Sequence, residues 1–519
     1  MPLHNPVEIL YFRRWSRKKF GIFRSLKKVV HIGVLLYTSS ILTGEIQAGN
    51  APDTLLITRN LDGDEIEITA EAPPGMMPQS ARPVVVLTRG TLSSLPAGSL
   101  SSALLLDVSA DIRQRGAPGV QADLGIRGGT FDQSLLMIDN IPFRNAQTGH
   151  HQLDIPLHTD WAGRIEIVKG PAARQYGVNA FSGAVLLVPL TADTNVVSFV
   201  LEGGSHALFN ARTLWMQKGK RSGGFVGVSH SSTAGFAPNT DASLQQVFGK
   251  YDMKFGKTRW QGMGGYSHKA FGANRFYSPK YPGQFEETHS AFVSLSFERE
   301  CRNVYFRPSV YLRNHFDRFE LFRTAPPPGY KGHNYHSTLA AGFRIPLSIY
   351  SKWGTTSLGL EGLYDRLFSN VLGDPLQDTA GVPFSEALYT KGASRSQVQF
   401  YTGHSIETGR WHISGGVMLS KGDGLTGWEW FPGIESSYRL HSYWKLYASV
   451  NRAMRLPTFT DLYYQGPVNL PNPDLRPETV QAFEAGVRFQ SRHWKASLEP
   501  FYRQRSEERR VGKECRSRW

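Results

Sequence analysis

Segments of about ten residues in which apolar and polar side chains alternate recur along the chain from about residue 196 onward. In "VYFRPSVYLR" (304–313), the even-numbered positions are apolar and the odd-numbered positions carry Tyr, Arg or Ser. The segments "AFVSLSFE" (291–298) and "WKLYASVN" (444–451) alternate in the same way. A period of two predicts β-strands with one apolar and one polar face, and lengths of about 9–11 residues suit tilted strands that cross a bilayer. The pattern therefore predicts a mainly β fold, a transmembrane antiparallel β-barrel, although a soluble β-sandwich would alternate similarly.

The connections between these segments favour the membrane barrel. The turns "RLHS" (439–442) and "QSRH" (490–493) are short, whereas residues 268–287 and 454–477 form long connections rich in Gly, Pro and aromatic residues. Short turns at one end and long loops at the other are typical of outer-membrane barrels. About fifteen candidate strands precede residue 504, and a sheet in lipid cannot leave an edge unpaired. We therefore expect about 22 strands in the complete barrel.

The formal net charge of +15 raises the question of nucleic-acid binding. Much of the excess lies in residues 1–47 and 505–519, and the remainder is spread thinly over the rest of the chain. Because no dense basic stripe is left, we do not expect nucleic acid as a partner.

The first residues have the order of a secretory signal peptide. A basic segment is followed by the apolar run Val29–Leu42 and then by the small residues Ala48 and Ala51. A single membrane anchor is the alternative, but this run is shorter than the roughly 20 apolar residues that span a bilayer. We predict a signal peptide over residues 1–48.

The last residues differ abruptly from the rest. Residues 505–519 read "RSEERRVGKECRSRW", with no alternation and few apolar side chains. The first eleven of them match the translation of a common sequencing-adaptor string, and a solvated charged tail is the alternative interpretation. We expect residues 505–519 to be non-native and the native chain to continue past residue 504.

Residues 80–195 have a different character from the barrel segments. Short apolar runs such as "SLLMIDNIPF" (134–143) and "AVLLVPL" (184–190) alternate with Gly turns and with a predicted helix around "AGSLSSALLLD" (97–107). This texture indicates a small α+β domain with its own core.

Three separated blocks of sequence resemble the motifs of one family. They are "DLGIRGGTFDQSLLMIDNIPF" (123–143), "RIEIVKGPAARQYGVNAFSGAVLLV" (164–188) and "NRAMRLPTFTDLYY" (451–464) with "NPDLRPETVQAFEAGVRF" (472–489). Together they resemble the plug and barrel motifs of TonB-dependent outer-membrane receptors. The resemblance covers nearly all of residues 53–504. It implies a plug domain over residues 80–195 and a barrel over 196–504, in the cell outer membrane of a Gram-negative-type bacterium.

The resemblance singles out a set of plug residues: Arg127, Gly128, Gly129, Lys169, Gly170, Pro171, Tyr176, Gly177 and Gly183. In the family, basic residues of these motifs pair with barrel glutamates. The alternation of "TVQAFEAGVRF" (479–489) places Glu484 on the inward face, where a carboxylate needs a partner. We predict that Arg127, and more weakly Lys169, faces Glu484. The alternative is that these are surface charges with no special partner.

The family also carries a short extended peptide, the TonB box, which pairs with the energy transducer TonB of the TonB-ExbB-ExbD complex. Such strand addition requires an accessible, β-prone segment. We favour residues 64–70 for it (Asp64, Glu65, Ile66, Glu67, Ile68, Thr69 and Ala70), within a periplasmic segment over 49–79; Asp53–Thr58 is the alternative. The Pro-rich segment that follows suits a flexible tether.

The implied function is import of a scarce, bulky ligand, an iron siderophore or cobalamin. Aromatic residues of the long loops are the candidate ligand contacts: Phe271, Phe276, Tyr277, Tyr281, Phe459, Tyr463 and Tyr464. A passive porin and a surface-binding barrel are the alternatives. The sequence has no enzyme motif, so we expect neither catalysis nor a cofactor. We expect no metal site either, because His150, His151 and His158 share a loop that suits polar surface.

Overall fold

The computed structural model describes residues 82, 84–95, 99–330, 332–466, 470–491 and 493–506. The predicted signal peptide, the periplasmic segment with both candidate TonB boxes, and residues 507–519 of the predicted tail lie outside these described residues. Within the described ranges, no helix combines the length and the apolar character needed to cross a membrane.

The amino-terminal part is a small α+β domain. Its elements are β1 (Val84–Thr88), α1 (Arg89–Leu92), α2 (Leu100–Leu104), β2 (Ala110–Arg115), β3 (Gln121–Ile126), β4 (Ser134–Ile138), β5 (Ile141–Pro142), two 3-10 turns (Gly149–His151 and Thr159–Trp161), β6 (Ala162–Lys169), α3 (Ala173–Tyr176) and β7 (Gly183–Pro189). In the described residues, β1, β6, β7, β4 and β5 form one sheet in that order, with β4 and β7 parallel, and β2 pairs with β3. Ile126, Leu136 and Ile165 are fully buried in its core.

The carboxyl-terminal part is a large sheet. Its strands are β8 (Val196–Gly204), β9 (Leu208–Lys218), β10 (Ser222–Thr233), β11 (Ala242–Phe255), β12 (Thr258–Gly272), β13 (Phe285–Cys301), β14 (Val304–Phe306), β15 (Ser309–Glu320), β16 (Asn334–Ser351), β17 (Gly354–Ser369), β18 (Asp374–Gly381), β19 (Leu388–Thr408), β20 (Trp411–Gly422), β21 (Glu429–His441), β22 (Trp444–Arg455), β23 (Glu478–Gln490), β24 (Lys495–Leu498) and β25 (Phe501–Arg505); the helix α4 (Phe459–Tyr463) lies between β22 and β23. Consecutive strands pair antiparallel, and the sheet closes into a barrel.

In two places, two of these segments together form a single strand of the barrel. β14 and β15 both pair with β13 and β16, and β24 and β25 both pair with β23. β18 belongs to the connection between β17 and β19, which pair directly. When these segments are combined, the described part of the chain forms about fifteen barrel strands, as the alternation predicts. The predicted fold class, a β-barrel with an amino-terminal α+β domain, is therefore confirmed.

The two ends of the barrel differ, as the sequence predicts. At one end the connections are tight turns, such as residues 256–257, 352–353 and 442–443. At the other end they are long, such as residues 273–284 and 456–477.

The barrel is apolar outside and polar inside. On β15, Ser309, Tyr311 and Arg313 face inward and are buried, whereas Val310 and Leu312 are 54% and 44% exposed. The apolar residues exposed in this way on other strands include Phe199, Trp215, Val228, Val247, Val293, Leu295, Leu360, Phe400, Ile413, Ile434, Leu446 and Phe483. An exposed apolar face of this extent suits contact with lipid and would be a liability in water.

The amino-terminal domain, called the plug below, fills the lumen. One buried apolar cluster contains both plug residues such as Trp161 and barrel residues such as Phe248 and Phe431. Trp161 is 1% exposed and lies against Gly227 of β10, where a Cβ atom would overlap the indole ring. The plug and the barrel therefore share a continuous, closely packed core.

We expect Gly227→Val to loosen the plug, because the added side chain must displace the Trp161 indole. Overpacking of this kind costs about 1–3 kcal/mol. The thermal unfolding midpoint in detergent should fall by several degrees and the plug should become accessible to trypsin. Gly262→Val on β12 is the matched control, since a Cβ there has no neighbour within 4 Å. Equal behaviour of the two variants would contradict this account of the packing.

Candidate ligand-transport site between plug and barrel

Two glutamates of the barrel wall, Glu435 on β21 and Glu484 on β23, point into the lumen and are buried. Neighbouring alternation explains their direction, since Ala482 on the same face as Glu484 is also buried and Phe483 between them is 42% exposed. A buried carboxylate is unfavourable unless it is paired and hydrogen-bonded. The plug supplies these partners.

Arg127 pairs with Glu484. Its Nη1 lies 2.9 Å from Oε1 of Glu484, and its Nη2 lies 2.8 Å from Oε2 of Glu499. The guanidinium follows β3 in a turn where Arg127 and Gly128 both have positive φ, at 49° and 73°. The predicted juxtaposition of Arg127 and Glu484 is thus present in the structure, and Glu499 is an additional partner.

Gly170 of the predicted Lys-Gly-Pro motif leaves space for this carboxylate. It has a φ of +78°, and a Cβ atom at this position would overlap the carboxylate of Glu484. The plug backbone therefore approaches Glu484 more closely than any other residue would allow.

Lys169 has different partners from those predicted. Its ammonium lies 3.3 Å from Oδ1 of Asp107 and 3.9 Å from Oε2 of Glu499, rather than beside Glu484. Asp107 follows α2, so the closer of the two contacts of Lys169 lies within the plug itself.

Arg82, which sequence reasoning missed, is a second partner for the wall. Its Nε lies 2.9 Å from Glu435 and its Nη1 lies 3.8 Å from Glu484. It also donates to the backbone carbonyls of Lys169 and Pro171, at 3.0 Å each. Burial alone would lower the pKa of Arg82, but the carboxylates of Glu435 and Glu484 raise it above its ordinary value. The residue therefore stays charged and holds the start of the plug against β21.

Arg174 completes this group from α3, with its Nη2 3.3 Å from Glu435. It lies in the "ARQYG" stretch, in which Tyr176 is buried and Gly177 ends the helix. Gly183 begins β7, the next plug strand. Arg82, Arg127, Arg174, Glu435 and Glu484 are called the latch cluster below.

Further plug-to-wall ion pairs lie around the barrel. Asp139 lies 2.6 Å from Arg307, Arg144 lies 3.0 Å from Asp365, and Asp132 contacts Arg455. Removing one partner of a buried pair typically costs about 3–5 kcal/mol, because the other charge is left uncompensated. Such pairs fix the plug in one orientation.

A cavity of about 400 Å³ opens between the plug and the β8 to β13 wall. It lies at the end with long connections, since Leu244 and Phe271 in its wall are close to the strand ends beside residues 234–241 and 273–284. The plug contributes residues 117–122 and His150. A largely apolar concave site with a few converging polar groups is typical of small-molecule binding.

Tyr277 extends from the 273–284 loop towards the plug beside this cavity. Its hydroxyl donates to Oε2 of Glu286 at 2.9 Å and accepts from Nε2 of Gln121 at 2.7 Å. Its ring makes an edge contact with His150 at 5.8 Å, and His150 stacks on Phe131. Tyr277 thus contacts Gln121 and His150, two residues that line the cavity.

The other aromatic candidates lie either around the 273–284 loop or in and beside α4. Phe276 packs with Phe271 at the cavity wall, and Tyr281 contacts Phe322 in a neighbouring loop. Tyr463 and Tyr464 end α4, and Tyr464 is 36% exposed. Phe271 and Phe459 are each only 2% exposed.

Phe459 is covered by its neighbours, and its role as a ligand contact stays a prediction. It packs with Ala146 and Leu367 beneath the Arg395 guanidinium, so in this conformation it supports α4 and offers no surface to a ligand.

The histidine loop also differs from the expected polar surface. His151 is buried and lies 3.3 Å from Glu286, and burial holds its pKa well below the ordinary value. His158 caps the second 3-10 turn by accepting from the Asp160 N–H.

A second cavity, of about 270 Å³, lies towards the end with tight turns. It is lined by charged side chains, including Lys250, Asp252 and Arg307. It borders β11, β12 and β13, the same strands that border the first cavity.

Aromatic side chains separate the two cavities along these strands. Phe248 lies 5.8 Å from Phe225 and 5.9 Å from Phe292, and Phe292 lies 5.5 Å from Phe143 of the plug, between ring centroids. These four residues are called the aromatic layer below.

Two family models match the chain. The model described as TonB-dependent Receptor Plug Domain matches residues 78–184, and the model described as TonB dependent receptor-like, beta-barrel matches residues 204–508. The chain belongs to the TonB-dependent receptor family. The plug in the lumen and the motif residues at the latch cluster are consistent with this assignment.

The receptor has curated relatives among vitamin B12 transporters. It is 23% identical to the vitamin B12 transporter BtuB of Vibrio vulnificus (strain CMCP6) over 487 residues, which cover 89% of the receptor and 71% of that transporter. It is 33% identical to BtuB of Vibrio cholerae serotype O1 (strain M66-2) over 106 residues, which cover 20% of the receptor and 17% of that transporter.

Solved structures share the receptor's fold. A variant of the ferric enterobactin receptor PfeA from Pseudomonas aeruginosa superposes with a TM-score of 0.66 at 16% identity, covering 82% of the receptor and 71% of that chain. The siderophore receptor PirA from Acinetobacter baumannii gives 0.64 at 16% identity, with 82% and 71% covered. The ferric citrate transporter FecA gives 0.64 at 14% identity, with 82% and 70% covered.

We expect Glu484→Gln to weaken plug retention, because Arg127 and Arg82 lose a buried counter-charge. The loss should be about 3 kcal/mol. It can be measured as a lower urea concentration at which the plug of the purified receptor becomes cleavable.

Glu429→Gln is the control, since the side chain of Glu429 is 34% exposed and pairs with Arg452 at 3.7 Å. Exposed pairs of this kind contribute little. A shift in Glu429→Gln as large as that in Glu484→Gln would contradict the special role of the latch cluster.

Proposed function

We propose that the receptor imports a scarce, bulky ligand across the outer membrane with energy delivered through TonB. The observation that carries this proposal is the plug, which fills the lumen and is held to the wall by buried ion pairs. In the described residues the plug packs against the barrel wall, so opening a wide path through the lumen would require work on the plug. The outer membrane has no nucleotide supply, and a periplasmic partner that pulls on the plug would meet this need.

The apolar exterior supports residence in a membrane. Val293 and Leu295 on β13 are 58% and 49% exposed and face away from the lumen. An apolar band on the outer face of a closed barrel matches a lipid environment, since every backbone group can be paired within the barrel. Lipid of the outer membrane is therefore the proposed surrounding partner.

The proposed cargo is cobalamin or an iron siderophore. The relatives named vitamin B12 transporter support the first, and the siderophore receptors that share the fold make the second the alternative. The largely apolar cavity, with Tyr277 and His150 at its edge, suits the first contact with either kind of ligand.

A passive porin is the less favoured function. Its lumen would have to conduct without any ligand, whereas the aromatic layer packs across the space between the two cavities. A surface-binding barrel without transport would share the fold and is distinguished by experiment.

Deletion of residues 64–70 should abolish energy-dependent uptake of labelled cobalamin or ferric siderophore by intact cells while ligand binding is retained. The physical reason is that strand pairing with TonB requires this backbone, whereas the proposed ligand contacts lie in the plug and in the long connections of the barrel. Deletion of residues 53–58 is the control and should leave uptake near the level of the unaltered receptor. If only the second deletion stops uptake, Asp53–Thr58 is the box; if neither deletion does, TonB coupling through this segment is wrong.

The aromatic layer should act as the seal. We expect Phe248→Ala combined with Phe292→Ala to raise ligand-independent conductance of the receptor in planar bilayers, because the two truncations open space between the cavities. Phe400→Ala is the control, since Phe400 is 40% exposed on the outer face of β19. Equal conductance of all three proteins would place the seal elsewhere.

A further inference from the structure

The geometry points to a divalent metal site on the outer face of the barrel, formed by His268, Glu287 and His289. One ligand atom from each of these residues lies within 4.8 Å of the other two. The site is separate from the lumen and from the cavity that the proposed function uses.

The register of β12 and β13 sets these ligands opposite one another. His268 pairs with His289, and Ala270 pairs with Glu287, two positions further along each strand. Lys269 and Thr288, which lie between them, face the lumen and line the cavity of about 400 Å³ described above. Side chains alternate across a strand, so the three ligands face outward together. A rigid sheet thus holds the group without help from a loop.

The Nε2 atoms of the two histidines converge on one carboxylate oxygen of Glu287. Oε1 of Glu287 lies 2.8 Å from Nε2 of His268 and 3.5 Å from Nε2 of His289. The two imidazole rings stack, with centroids 4.4 Å apart and planes inclined by 19°. An ion near Oε1 would be reached by both imidazoles through small side-chain rotations.

Neighbouring residues orient the ligands. The Tyr266 hydroxyl lies 2.7 Å from Nδ1 of His289, which leaves Nε2 directed at the site. Nη2 of Arg318 lies 2.8 Å from Oε2 of Glu287, which leaves Oε1 for the ion. Outer partners that fix the ring and the carboxylate are characteristic of metal sites.

The donor set selects the class of ion. Two imidazoles and one carboxylate suit Zn²⁺, Ni²⁺ or Cu²⁺, whereas Ca²⁺ and Mg²⁺ prefer a shell of oxygen atoms. With three protein ligands, a fourth position stays open to water. Ion binding would clamp β12 to β13 at the base of the 273–284 loop, which carries Tyr277.

An anion such as phosphate is the competing occupant, since histidine and arginine are present. Arg318, however, is already held between Glu287 at 2.8 Å and Glu320 at 3.1 Å. Its charge is thereby offset, and the carboxylates favour a cation.

The test uses the full chain in detergent, carrying no polyhistidine tag and stripped of metal. Zn²⁺ titrated by calorimetry should bind at a saturable site and raise the thermal midpoint. His268→Gln and Glu287→Gln should each remove this site. Tyr266→Phe should weaken Zn²⁺ binding about tenfold. His404→Gln should leave it unchanged, because His404 is an outward histidine that hydrogen-bonds Thr356 and the Trp353 carbonyl.

One further readout guards against misreading these variants. Inorganic phosphate should not bind to the metal-free protein. The proposal is overturned if Zn²⁺ does not saturate a site, if binding survives both ligand variants, or if phosphate binds and His268→Gln removes that binding.

Discussion

The pairing of buried charge between the plug and the barrel wall is the constraint on which the rest of the structure depends. Glu435 and Glu484 face a lumen that the plug fills, and burying a carboxylate without a partner is unfavourable. The buried guanidinium groups of the plug likewise require carboxylates as partners. Each domain therefore completes the electrostatics of the other, and neither surface is suited to exist alone.

This pairing also determines where the plug packs tightly against the wall and where cavities remain between them. The ion pairs hold the plug so that apolar contacts form along β10 to β13, where the aromatic layer lies between the two cavities. The largely apolar cavity lies on the side of the layer with long connections, and the charged cavity lies on the side with tight turns. Under the proposed function, a ligand bound in the apolar cavity would meet the aromatic layer next and the charged cavity after it.

The strand faces could be predicted because a period of two relates sequence directly to direction. Glu484 was recognisable as inward by that rule, and Arg127 by its motif. Glu435 obeys the same alternation, but no motif marks it. Arg82 follows a Pro-rich segment without pattern, so its role depends on three-dimensional proximity alone. Lys169 pairs with Asp107 and Phe459 packs against Leu367, and both contacts join residues far apart in sequence that no local pattern predicts. His268 and His289 meet only through the register of β12 and β13.

The position of Arg82 bears on how a pull from the periplasm would act under the proposed function. It immediately precedes β1 and joins the preceding chain to Glu435, Glu484 and two plug carbonyls. Force applied through residues before it would reach this contact before any other plug contact in the described chain. Breaking several buried pairs at once would cost many times the thermal energy, whereas breaking them in sequence requires only a few kcal/mol at each step. A latch at the point of attachment therefore favours stepwise opening over expulsion of the whole plug.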